Sequence, residues 1–374
     1  MKIGLVLDDT LDTPDGVQQY VLQVGGWLAS QGHDVHYLVG NTTRTDLPNV
    51  HSLSRNMQVR FNGNRMSMPL PADAGKLRLF LAQERFDILH VQVPYSPFLA
   101  GRLLRVAPRE TAVVGTFHIL PYSRLVTFAN HGLSLMNARS GRRFDRMLAV
   151  SAPAQKFARE VYGYHANVLP NPVSLSQFES AQSDSSTTNI VFLGRLVERK
   201  GPLQLLRAVA YMREQQLYGG DLQVMIGGKG ELLADLQRFV SAHHLGETVQ
   251  FAGFVAETDK ADFLAQADLA VYPSTGGESF GIVLLEAMAA ARGVVLAGNN
   301  PGYSAVMQPY PDQLVDPNDT KGFAEKLAWY LDHPMARERA AVLQNQYVRH
   351  FDIGVVGQEL LGVYSQALQS RRQS

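Results

Sequence analysis

The stretch SQFESAQSDSSTTNIVFLGRLVERKG runs from Ser176 to Gly201. Residues 176–189 are polar and rich in Ser and Thr, the composition of a linker. Ile190–Leu193 then form a short apolar run, and a loop bearing glycine and charge follows at once. A strand signal that restarts after a linker marks the beginning of a second domain.

The same rhythm extends in both directions. Upstream, strands are expected at Lys2–Leu7, Val35–Val39, Ile88–Val91, Ala112–Phe117, Met147–Val150 and Val168–Leu169. Amphipathic segments separate them; Val17, Tyr20, Val21, Val24 and Leu28 keep helical spacing. Downstream, strands are expected at Ile190–Leu193, Leu222–Ile226, Val249–Phe251, Leu269–Tyr272 and Val294–Leu296. Helices are expected at Leu203–Glu214, Leu232–His243 and Gly281–Ala291. The tail, Met335–Gln369, reads as helices without a further strand. Such alternation implies α/β architecture with parallel sheets and crossover helices, twice over. Two doubly wound domains create a cleft, and ligands bind beyond the carboxyl ends of the strands.

Composition narrows the function. The 374 residues are 45% hydrophobic and 18% charged, enough apolar material for packed cores. Thirty-four basic and 34 acidic side chains cancel, so no global field draws the chain to nucleic acid or to an anionic membrane. The absence of cysteine excludes disulfides, thiolate metal sites and thiol nucleophiles. The N-terminus enters a strand-like run with no signal-peptide pattern, and no apolar run reaches the roughly 18 residues of a membrane span. The expectation is a soluble cytoplasmic protein, with at most peripheral contact at the inner face of the membrane.

Every chemically suggestive motif follows a predicted strand. In DDTLDTPDGVQ (Asp8–Gln18), Gly16 stands at a helix mouth, where backbone can approach an anion. The plain alternative is a turn glycine, and the lack of GxGxxG argues against a nicotinamide fingerprint. Asp8 and Asp9 look superficially like a metal pair, but a loop turn or an acceptor contact suits them better. In GRLVERKG (Gly194–Gly201), Arg195 offers a fork and Lys200 a point charge, a natural pair for a diphosphate; a solvated loop is the alternative. His118 closes GTFH at a strand end, where an imidazole can serve a substrate or simply fill structure. GGKGE (Gly227–Glu231) fits any tight strand-to-helix connection.

The most informative segment is TGGESFGIVLLEAMAAARG (Thr275–Gly293). Glu278 lies in the loop at a helix mouth and Glu286 lies inside the helix. Carboxylates accept from neutral hydroxyls, and sugars are made of hydroxyls. One Glu can hold a hexose and the other a ribose, with phosphate on the loop amides between them. A capping Glu plus a buried Glu paired elsewhere is the alternative, since an unpaired carboxylate in so apolar a helix is costly.

Together these residues resemble the family 4 retaining glycosyltransferases of the GT-B fold, whose E-x7-E signature matches Glu278 and Glu286. The resemblance covers nearly the whole chain, with TPDGVQQYV, GTFH, LPNPV, GRLVERKG, GGKGE and GGESFGIVLLEAMAA in family order. Within that family the chain resembles the bacterial phosphatidylinositol mannosyltransferases. The resemblance implies two Rossmann-like domains, an acceptor domain over 1–175 and a nucleotide-sugar donor domain over 186–351. Residues 352–374 would cross back, with the C-terminal helices packing on the first domain. It implies that Gly16, Arg195, Lys200, Phe280 and Gly281 bind the donor diphosphate. Glu278 and His118 are the implied catalytic residues, at the transferred sugar. Glu286 would hold the ribose, and Val255, Glu257 and Lys260 of GFVAETDK the base. Asp9, Asp12, Gln18, Asn62 and Tyr122 fall on the acceptor side. A basic membrane-binding helix is expected near 74–85, where this chain has only Lys76 and Arg78, and Ile119–Tyr122 replaces a polar headgroup stretch.

The implied reaction is retaining transfer of a hexose, mannose from GDP-mannose, to a hydroxyl of an inositol lipid or saccharide. No cofactor or metal is required, with magnesium optional. The competing expectations are a glucosyl- or N-acetylglucosaminyltransferase using a UDP-sugar and a soluble acceptor, and a sugar-nucleotide binding protein without turnover.

Overall fold

The computed structural model describes residues 1–12, 15–61, 64–121, 124–179 and 187–373. Two compact units divide the chain: Met1–Pro172 together with Ile353–Ser374, and Val173–Asp352.

The first unit contains β1 (Lys2–Leu7), α1 (Gly16–Ser30), β2 (Asp34–Val39), β3 (Val50–Ser52), β4 (Asn56–Phe61), β5 (Asn64–Pro69), α2 (Ala74–Glu84) and β6 (Ile88–Val91). It continues through α3 (Leu99–Val106), β7 (Ala112–Phe117), α4 (Arg124–Gly141), β8 (Arg146–Ala149), α5 (Ala152–Tyr162) and β9 (Asn167–Val168). Its main sheet is parallel, in the order β3-β2-β1-β6-β7-β8-β9. The chain winds outward from β1 to β3 and then returns to place β6 on the other side of β1. That reversal is a topological switch point, and the loops after β1 and β6 open there.

The second unit repeats the plan. It contains β10 (Thr188–Leu193), α6 (Pro202–Glu214), β11 (Leu222–Gly227), α7 (Leu233–Ala242), β12 (Val249–Gly253), α8 (Lys260–Ala265) and β13 (Leu269–Tyr272). Then come α9 (Ile282–Ala290), β14 (Val294–Gly298), α10 (Pro301–Val306), β15 (Leu314–Val315), α11 (Thr320–Asp332) and α12 (Pro334–Val348). Its order is β12-β11-β10-β13-β14-β15, with the switch between β10 and β13.

Both sheets are parallel because helices cover both faces, so their strands read as apolar runs instead of alternating ones. Ile3, Leu5, Ile88, Val114 and Leu148 lie in one core, and Ile190, Phe192, Val224, Val271 and Leu296 in the other. Helix starts follow local chemistry. Asp73, Ser151, Asn300 and Asp319 each accept a first-turn N–H, of Lys76, Ala154, Tyr303 and Gly322 respectively. The helices that begin at Gly16 and just after Gly281 have no such side-chain cap.

Several elements depart from the sequence-based expectation. Strands β3 and β15 and the antiparallel β4–β5 hairpin were not signalled. They are short or polar, and neighbours decide their pairing. The stretch expected to cross back, 352–374, corresponds to α13 (Ile353–Arg372), which groups with the first unit against α1 and β7, while α12 packs on α9 and β14 of the second. Among the described residues no helix is long and apolar enough to cross a membrane.

β15 meets only the last two residues of β14, Ala297 and Gly298. The fully buried Gln344 of α12 serves the strand upstream: its Oε1 accepts from Val295 N–H at 2.8 Å and its Nε2 donates to Val295 O at 3.0 Å. Nε2 also donates to Gln313 Oε1 at 2.9 Å. Gln344→Leu strands these buried groups and is expected to cost roughly 2–4 kcal/mol in urea denaturation of the intact chain. A loss below about 0.5 kcal/mol would show that the sheet does not depend on this side chain.

Candidate active site

In the second unit, the loops after β10 and β13 converge at the switch point. The first carries Arg195, Arg199 and Lys200, the second Ser274 and Glu278. Glu278 is only 9% exposed. Its Oε1 accepts from Arg199 Nη1 at 2.7 Å and Ser274 Oγ at 2.9 Å, and Lys200 Nζ lies 2.8 Å away. Oε2 has no partner among the described residues. Burial pushes this carboxyl upward, but the Lys200 ammonium and the Arg199 guanidinium outweigh it and hold Glu278 below the usual range. Lys200 is pulled below the ordinary lysine range by burial, reinforced by Arg199 and Arg195, while Glu278 works the other way. Arg195 is half-buried and close enough for its charge to reach Lys200.

The main chain welds the two loops together. Arg199 O accepts from Ser274 Oγ at 2.8 Å and from Thr275 N–H at 2.9 Å. Gly201 has a φ of 73°, and a Cβ there would stand 2.0 Å from Pro273 O, so only glycine fits. Gly281 has a φ of 139° and ends the loop directly before α9. The N–H groups of Phe280 and Gly281 have no acceptor among the described residues, while the Phe280 ring is buried near Phe351. A helix start without a side-chain cap leaves amide N–H groups that can receive an anion.

Glu286 answers the cost raised by its sequence position. It is 4% exposed inside α9, and Lys260, the first residue of α8, reaches it at 2.9 Å. The same ammonium lies 2.7 Å from Glu257. Burial lowers Lys260, yet Glu286 and Glu257 together raise it above the ordinary lysine range. Burial pushes Glu286 up, with Lys260 drawing it back. Lys260 therefore clamps two carboxylates, one of them Glu257, which the family resemblance puts with it at the base. Val255 is half-buried and Glu257 exposed beside it.

In the first unit, His118 follows β7 and Gln92 follows β6. His118 Nε2 lies 2.9 Å from the Oε1 of Gln92, which is fully buried. The Tyr20 ring from α1 meets the imidazole edge-on at 5.0 Å. Burial lowers the His118 pKa to about 3. Asp9 accepts from Thr10 N–H at 2.7 Å and from Gln18 Nε2 at 3.0 Å. Asp12 ties to the loop after β2, accepting from Thr42 Oγ1 at 2.5 Å and Thr43 N–H at 2.9 Å. Asp8 accepts from Ser96 Oγ and from Ala100 N–H in the first turn of α3, and burial pushes it up to about 7. It is occupied as a helix-end acceptor. A Cβ on Gly16 would meet nothing within 4 Å, so the fold itself does not demand glycine there. Asn62 and Tyr122 lie outside the described residues.

The structure thus joins Lys200 to Glu278 and Lys260 to Glu257 and Glu286. Arg199, Ser274 and Gln92 were missed from sequence. Arg199 sits within GRLVERKG, and its extra charge beside Lys200 was the available signal; nothing marked Ser274 or Gln92.

Known proteins resemble this chain in sequence and in fold. A family model described as Glycosyltransferase Family 4 matches residues 14–177, and one described as Glycosyl transferases group 1 matches residues 175–347. The phosphatidyl-myo-inositol mannosyltransferase of Mycobacterium leprae is 32% identical over 371 residues, 97% of this chain and 96% of that protein. Among solved structures, an Anabaena protein, HepE, in complex with UDP-glucose superposes with a TM-score of 0.75 at 17% identity, covering 98% of this chain and 99% of that one. Sucrose-phosphate synthase from Thermosynechococcus elongatus also gives 0.75, at 19% identity over 99% and 100%.

With a folded-state pKa near 3, far below the ordinary 6.5, His118 is neutral throughout pH 5–8. The equally lowered, buried His90 behaves alike. Imidazole NMR of the intact chain is expected to show both rings without titration down to pH 5. A midpoint above 6 for His118 would contradict its burial.

Proposed function

The chain belongs to the family 4 glycosyltransferases and has the GT-B fold, and from that premise we propose that it transfers mannose from GDP-mannose, with retention, to a hydroxyl of an inositol-type lipid or a saccharide. The observation that carries this reading is the Glu278 carboxylate. Three donors fix one oxygen, and the other is left to accept from sugar hydroxyls. The adjoining Phe280 and Gly281 amides and the Arg195–Lys200 pair suit the diphosphate that follows the sugar. Glu286, held by Lys260, suits ribose hydroxyls, and Glu257 suits the N1–H and amine of guanine. The choice of mannose and of an inositol acceptor rests on the name of the mycobacterial relative.

In this reading the second unit holds the donor. Gly16 contributes its amide to the terminal phosphate, and Asp9, Asp12 and Gln18 belong to the acceptor side. The C1–O bond to phosphate breaks as the acceptor oxygen attacks from the same face. The leaving phosphate oxygen takes the acceptor's proton. Lys200, Arg195 and the loop amides stabilise the charge that grows on it, a contribution largest where water is excluded. His118, neutral and fixed by Gln92, acts as a hydrogen-bonding group at the sugar and carries no charge.

Calorimetry of the intact chain with GDP and UDP at one salt concentration tests the donor. GDP is expected to bind at least about tenfold more tightly, a difference of about 1.4 kcal/mol. A preference for UDP would overturn mannose and the Glu257 assignment while leaving the diphosphate site. Glu278→Ala is expected to abolish transfer in a folded protein, and Lys200→Ala to weaken GDP by about tenfold. Wild-type turnover in Glu278→Ala would remove the carboxylate from the mechanism.

A further inference from the structure

Two cations share one oxygen of Glu278, although a single carboxylate needs only one for neutrality. The two are not equivalent. Arg199 is 9% exposed, and its carbonyl is fastened to Ser274 and Thr275. Its Nε is buried without a hydrogen-bond partner among the described residues. A planar guanidinium on an anchored backbone has little freedom to leave. Lys200 carries a point charge on a flexible stem, its side chain is more exposed than that of Arg199, and it feels the repulsion of both Arg199 and Arg195.

Were Lys200 the sole partner, moving it would abandon a buried carboxylate, which is strongly unfavourable. Arg199 removes that penalty. We propose that Arg199 is a positioning residue that keeps Glu278 neutralised and oriented, so that Lys200 transfers from Glu278 to the diphosphate of the donor. This rests on the donor-site reading above. The loop then works as a charge exchange: the incoming diphosphate takes the mobile cation, and the anchored cation remains. Ser274 holds the same carboxylate oxygen throughout. Tyr303, from α10, is a further titratable group close enough to feel the charge of this carboxylate.

The exchange has a signature that a merely structural role lacks. In Arg199→Met, Lys200 becomes the only cation on Glu278 and is retained there. GDP binding, measured by calorimetry on the full chain, is expected to weaken by about tenfold or more. Arg199→Lys is expected to return it to within about threefold of wild type. The double variant Arg199→Met with Glu278→Gln removes the anion that traps Lys200, and GDP affinity is expected to recover to within about threefold of wild type. If the double variant stays as weak as Arg199→Met, Arg199 either touches the phosphate itself or only supports the fold, and the proposal falls. Equal GDP affinity in wild type and Arg199→Met also overturns it.

Lysine NMR without nucleotide reads the ion pair independently. Arg199→Met is expected to raise the Lys200 titration midpoint and the added Glu278→Gln to lower it again. Should wild type bind no nucleoside diphosphate, the donor reading fails and the exchange falls with it, and this titration then reports only whether the two cations share Glu278. A Lys200 midpoint identical in wild type and Arg199→Met refutes the proposal.

Discussion

A carboxylate nine-tenths removed from water keeps its charge only when counter-charges and hydrogen bonds replace hydration, and Glu278 obtains all of them at one oxygen. The rest of the second unit's site depends on that requirement. To bring Arg199 and Lys200 to Glu278, the loops after β10 and β13 must touch. They touch through the Arg199 carbonyl, which accepts from Ser274 and Thr275, and through Gly201, which lets the backbone pass Pro273. The parallel sheet supplies the approach, because its strand order reverses between β10 and β13.

The second carboxylate obeys the same rule with different partners. Glu286 lies eight residues on, inside a helix whose other side chains are apolar, and its counter-charge arrives from α8. Since Lys260 also grips Glu257, the helix interior and the loop after β12 are fastened by one ammonium. The environments divide the two glutamates: cations hold Glu278 below its ordinary range, and burial lifts Glu286 above it. In the proposed reading both accept from hydroxyls, and rigid ion pairing fixes where those hydroxyls must lie.

In the first unit some buried polar groups are satisfied by neutral partners. His90 bonds to Tyr364 of α13 and to Thr116 of β7, each at 2.7 Å, so the returning C-terminal helix is tied to the centre of the sheet. His118 rests on Gln92 in the same way. Asp8 and Asp9, adjacent in sequence, serve unrelated neighbours, one the start of α3 and the other Gln18.

The sequence by itself determined the alternation of apolar runs and amphipathic segments, and so both parallel sheets, because burial on two faces leaves its mark residue by residue. It placed Glu278, Glu286, Lys200 and His118 just beyond or within elements at strand ends, since strand and helix periods count along the chain. It did not reveal β3, β15 or the β4–β5 hairpin, whose pairing comes from neighbours. Nor did it show that Arg199 and Ser274 complete the Glu278 site, that Lys260 clamps two carboxylates, or that Gln92 orients His118. Those partners lie 79, 4, 26 and 26 positions from the residues they serve. Only the tertiary structure decided them, because the force that selects a buried counter-charge acts through space and depends on which loops the strand order brings together.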